Sequence, residues 1–78
     1  MEARFAELDS AMASITVNAP PYIENLERLT RQYIEAIHEY DDDLGHDEVK
    51  RRLAEKAVDV QAYCLPCAGM LDRERERY

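Results

Sequence analysis

The chain has 78 residues, 46% of them hydrophobic and 35% charged, with seventeen acids against ten bases and a net charge of −7. That balance is too apolar for a disordered tail and too acidic for a protein that binds nucleic acid by general phosphate attraction. The length fits one small domain, and a chain of this size buries only about 60% of the surface its unfolded form exposes, so a self-sufficient core is marginal.

From the N-terminus, Met1, Phe5, Leu8, Met12 and Ile15 recur at spacings of 4, 3, 4 and 3 residues, which puts them on one helical face and predicts a helix over 2–15. The β-branched pair Thr16 and Val17 and the run Asn18-Ala19-Pro20-Pro21 stop it, and Asn18 is expected to cap the second helix. That second predicted helix spans 20–43, with its prolines in the first turn, where the missing N–H groups have no helical partner anyway. Tyr22, Leu26, Leu29, Tyr33, Ile37 and Tyr40 form its stripe, widened by Ile23, Thr30 and Ile34. Glu24 and Arg28, and Glu27 and Arg31, are acid-before-base pairs four residues apart, the favourable order on an exposed helical face.

Gly45 suits a left-handed cap, and Asp47 and Glu48 then fall where the next helix's dipole favours negative charge. Leu53, Ala57, Val60, Cys64, Cys67 and Leu71 carry a continuous stripe through a helix over 46–64 and its extension over 66–77. Glu74 is a polar intruder on that stripe. Pro66 interrupts it, because proline lacks an N–H and its ring clashes with the carbonyl of Ala62, and is expected to kink the helix or split it near residues 63–65. No segment shows the period-2 alternation of a half-buried strand. The expected fold is all-α: a short N-terminal helix, then an antiparallel two-helix hairpin whose second long helix is kinked near Pro66. A three-element hairpin leaves the second stripe of helix two and the flank of Val58, Leu65 and Ala68 wet. The bundle is therefore expected to be completed by oligomerisation or by a partner's helix.

The sharpest chemical motif is Cys64-Leu65-Pro66-Cys67. Two cysteines one helical turn apart can exchange a disulfide, and a helix N-terminus stabilises the first as a thiolate. Against this, thiol oxidoreductases carry the motif in a βαβ setting, and cysteines on a core stripe also serve as small buried hydrophobes. A zinc site would need His38 and His46, and neither has the usual spacing to the cysteines. Glu35 and His38 have the Glu-x-x-His spacing of di-iron bundles, but a single copy on a polar face does not make a site. The acidic bend Asp41, Asp42, Asp43, Asp47 and Glu48 fails the calcium-loop register, because Gly45 occupies the fifth position counted from Asp41 and His46 the sixth. Lys50, Arg51, Arg52 and Lys56 form a short basic patch suited to pairing with acids.

No catalytic triad order, phosphate loop or nucleic-acid module is present in the sequence. The expectation is a non-enzymatic, cofactor-free and metal-free helical interaction module, an adaptor, small chaperone or regulatory subunit. Its seam is expected to run along Phe5, Leu8, Met12, Leu26, Tyr33, Ile37, Tyr40, Leu53, Val60 and Leu71, facing a protein partner or a second copy. One alternative is an acidic inhibitor whose bend fills a basic groove on a nucleic-acid-handling protein. Another is a small thiol-redox protein using Cys64 and Cys67. With no cationic start ahead of a long apolar run, neither a signal peptide nor a membrane span is expected, and the chain reads as cytoplasmic.

Overall fold

Glycine and proline set the helix boundaries. In the computed structural model, which describes residues 1–17 and 19–78, those residues form four helices and no strand: α1 (Glu2–Ala13), α2 (Tyr22–Leu44), α3 (His46–Gln61) and α4 (Leu65–Arg75). The cap expected of Asn18 lies outside the described residues. The helix over 20–43 is shifted: α2 begins at Tyr22, and Pro21 precedes it with a non-helical backbone at φ −106° and ψ 70°. The proline ring of Pro21 biases Pro20 away from the helical region, so both prolines stay outside the helix.

Gly45 is the single residue between α2 and α3. Its φ of 85° is positive as expected, but its ψ of 157° is not that of a left-handed cap; it lies in a region essentially closed to other residues. Its N–H donates to the Asp41 carbonyl at 2.9 Å, and its own carbonyl accepts from the Val49 N–H at 3.0 Å, so one residue closes one helix and opens the next.

Of the two outcomes expected at Pro66, a kink or a split near residues 63–65, the structure shows the split. α3 ends at Gln61, and α4 starts at Leu65 with Cys64 as its N-cap and Pro66 in its first turn, where a missing N–H costs nothing. The chain reverses across residues 62–64. The far end of α4 returns to the end of the molecule where α2 meets α3: His38 Nε2 lies 2.9 Å from Glu74 Oε2, the Tyr78 hydroxyl donates to Asp41 at 3.1 Å, and the Tyr78 ring meets His46 edge-on at 5.6 Å. α1 runs back along α2 from that same end, with Arg4 bonded to Glu39 at 2.8 Å. Phe5 is its anchor, edge-on to Tyr33 at 5.5 Å and near Tyr40 at 6.1 Å, with the Arg52 guanidinium 4.8 Å above its ring. α2 therefore packs against all three other helices.

This return changes what is buried. Phe5, Leu8, Met12, Leu26, Tyr33, Ile37, Leu53, Val60 and Leu71 all lie inside the chain's own core with Val49, Ala36 and both cysteines, and Tyr40 packs half-buried against them. The seam expected to face another chain is an intramolecular core. Ala68, expected to stay wet, is buried too, because α4 turns it inward, whereas Val58 and Leu65 are exposed as expected. Glu74 is buried on the stripe and held by His38 and by Arg77 at 3.4 Å, so the intruder is paired.

Two substitutions test this frame. Gly45→Ala meets open space at its Cβ but forces a disfavoured backbone, and should cost about 1–3 kcal/mol in denaturant unfolding. The Thr30 hydroxyl is fully buried without a hydrogen-bond partner, so Thr30→Val should leave stability unchanged or raise it by up to about 1 kcal/mol in the same assay.

Candidate functional site

The alternating helix directions give the molecule two unlike poles along its 37 Å long axis. The polar pole gathers the end of α2, the start of α3 and the end of α4. Here the five acids of the bend divide into two groups. Asp41 accepts the Tyr78 hydroxyl, whose pKa is pushed up to about 12 by burial and by that carboxylate. Glu48 accepts from Arg51 at 2.6 Å and Arg52 at 2.8 Å, and these bonds hold its carboxyl down at about 2. Asp42, Asp43 and Asp47 are exposed. The structure thus commits two of the five acids to internal bonds. Three of the four bases of the patch are likewise paired inside the chain: Arg51 also bonds Glu55 at 2.6 Å, Arg52 reaches Glu2 on α1 at 2.9 Å, and Lys56 pairs with α1, whereas Lys50 is exposed.

The other pole is apolar. It joins the end of α1, the start of α2, the end of α3 and the start of α4, and it holds four of the five large apolar side chains that stand exposed: Ile23, Val58, Tyr63 and Leu65, at 41, 70, 49 and 74%. Pro20 and Pro21 are exposed beside Ile23. Between α1, α2 and α3 a groove of about 340 Å³ opens, floored by Met12, Leu26 and Val60 and walled by Ala13, Ile15, Val17 and Tyr63. Its polar edge is Lys56, whose ammonium bonds Asp9 at 2.6 Å, lies 3.6 Å from Asp59 and sits 5.5 Å from the Tyr33 ring centre. Burial first, and then the Asp9 carboxylate, push the Tyr33 phenol up to about 12, so it stays neutral beside this cation through the physiological range.

At the rim of this pole Cys64 and Cys67 are joined in a disulfide, and the Cys67 N–H points at the Cys64 sulfur at 3.3 Å. Both residues are buried, at 2 and 0% exposure, while Leu65 and Pro66 between them face solvent. The motif therefore does two things at once: it starts α4 and it lifts Leu65 outward. His38 is turned to Glu74 rather than to Glu35, which is exposed, and no group of three or more His, Cys, Asp or Glu side chains placed to hold a metal ion occurs among the described residues.

The groove is not legible in the spacing of the stripes. It is built from residues at the ends of three helices, and at this pole the sequence pattern marks Val58 and Leu65 on the flank of the stripe and Ile23 on the second stripe of helix two, none of which lines the groove. No helix among the described residues is long and apolar enough to cross a membrane. No protein-family model, curated protein or solved structure matches the chain.

The Glu48 cluster has a pH signature. Its folded pKa of about 2 lies below the ordinary 4.5, so the stability it contributes is present above about 4.5 and is lost as pH falls towards 2. Glu48→Gln should lower the denaturation midpoint at neutral pH and flatten the fall in that midpoint across this acid window.

Proposed function

We propose that this protein is a non-enzymatic helical interaction module that works by docking its apolar pole, in the first instance against a second copy of itself. The observation that carries the reading is the concentration of Ile23, Val58, Tyr63 and Leu65 at one end of a chain whose core is otherwise closed. Large apolar side chains left exposed at one end of a small protein mark a contact surface, and the groove beside them, walled by Tyr63, gives a partner's side chain a place to enter.

Charge favours a second copy as the occupant. Five of the negative charges lie in residues 41–48, at the polar pole. Pairing through the apolar poles sends the two acidic bends to opposite ends of the dimer. Each then lies a protein length of 37 Å from the interface, far beyond a screening length of about 8 Å in physiological salt. Pairing through any face near the bend would bring these charges together. A symmetric dimer also uses one patch against itself, which needs no second specialised surface. Such a module would serve as an adaptor or regulatory subunit in the cytoplasm, where a disulfide is transient rather than permanent.

Light-scattering mass across a dilution series tests the reading. Wild type without reductant should show a dimer that dissociates on dilution. Val58→Lys and Leu65→Asp, both at exposed positions, should be monomeric at every concentration with unchanged helical circular dichroism. A wild-type chain that stays monomeric at millimolar concentration overturns self-association.

A further inference from the structure

We propose that Cys64 and Cys67 form a thiol–disulfide exchange site that sets the strength of docking at the apolar pole. The inference rests on the docking reading above for its consequence, but its chemistry stands on the cysteines themselves.

Three observations carry it. The bond joins residues only three apart in sequence, so it removes little chain entropy and is a poor device for global stability. It ties the N-cap residue of α4 to the third residue of the helix, across Leu65 and Pro66, and Leu65 is the most exposed of the large apolar side chains. The Cys64 sulfur also already accepts the Cys67 N–H at the start of an eleven-residue helix, a setting that stabilises a thiolate there once the bond opens.

The co-reactant is a dithiol. Its thiolate attacks the Cys67 sulfur, the S–S bond breaks, and Cys64 leaves as the thiolate that the helix N-terminus stabilises. The second thiol of the reductant then displaces Cys67 and closes the reductant's own disulfide. Two electrons and two protons pass to the protein, leaving two cysteine thiols; a disulfide of the same class reverses the step. Both sulfurs are buried, so attack proceeds through an opening of the turn at residues 62–64, whose Ala62 and Tyr63 are exposed. In the oxidised chain the first turn of α4 is locked and Leu65 is held outward. In the reduced chain the covalent tie is gone and the turn rests on non-covalent contacts, among them the bonds to Cys64 from the N–H groups of Cys67 and Ala68, at 3.3 and 3.2 Å. Leu65 is then less preorganised, and docking weakens.

The test treats the full-length chain with dithiothreitol under native conditions and alkylates it with iodoacetamide. Mass spectrometry, circular dichroism and light scattering are read on the same samples, beside the double variant Cys64→Ser, Cys67→Ser. The expected result is two alkylated cysteines per chain with helical signal retained, and a dimer dissociation constant raised by about tenfold or more, a difference of about 1.4 kcal/mol. The double variant should match the reduced chain whether or not reductant is present. Alkylation that occurs only in denaturant overturns the exchange site. Full alkylation with an unchanged dissociation constant overturns the control of docking. A chain that is monomeric both oxidised and reduced sinks the docking reading and the control built on it, while native alkylation still decides the exchange chemistry.

Discussion

The helix that begins at His46 cannot run through Pro66, and the rest of the structure depends on that interruption. A proline inside a helix removes one hydrogen bond and pushes its ring against the carbonyl four residues earlier. The chain therefore leaves the helix after Gln61 and begins again at Leu65, with the proline in the one turn that tolerates it. Once broken, the second half is long enough to return. α4 lays Cys67, Ala68 and Leu71 against the faces of α2 and α3, and Leu71 and Cys67 become fully buried together with Ile37, Val49 and Leu53. A straight helix of the same sequence would have carried those side chains out into water.

The return is secured by polar contacts at its far end. Glu74, on the buried side of α4, meets His38 of α2, and Tyr78 reaches both Asp41 and His46. A buried carboxylate needs partners, so its place on the apolar stripe selects one seating of α4 over others. On the opposite side, Arg52 and Lys56 of α3 reach Glu2 and Asp9 of α1 while lying over the rings of Phe5 and Tyr33. The same cations thus cover aromatic surface and pair acids, which lets a short first helix stay docked.

Closing the core in this way separates the molecule's chemistry into two poles. Most of the excess negative charge sits where α2 turns into α3, partly neutralised by Arg51 and Arg52, with Asp41 accepting a hydrogen bond from the Tyr78 hydroxyl. The surplus apolar surface sits where α3 turns into α4, next to the disulfide. The turn that makes the fold possible is therefore also the turn that presents Leu65. The Cys64–Cys67 bond, itself buried in the core, ties that core directly to the turn that carries Leu65.

Local physics written into the sequence determined the helices: the four-and-three spacing of Phe5, Leu8 and Met12, the long stripe from Leu26 to Tyr40, the glycine at 45 and the proline at 66 each act within a turn or two. The helical class, the absence of strands among the described residues and the break near Pro66 were legible for that reason. Where the broken helix went was not. A stripe states that a face is apolar, but the partner for that face is chosen by what the chain can bring to it, and α4 reaches the faces of α2 and α3 before any second molecule is needed. Residues such as Ile37 and Leu53, which the pattern alone placed at a seam between chains, are inside one chain on that account. The pairing of Glu74 with His38, the groove beneath Tyr63 and the outward set of Leu65 belong to the tertiary structure, because each joins residues from helices whose mutual orientation no local spacing encodes.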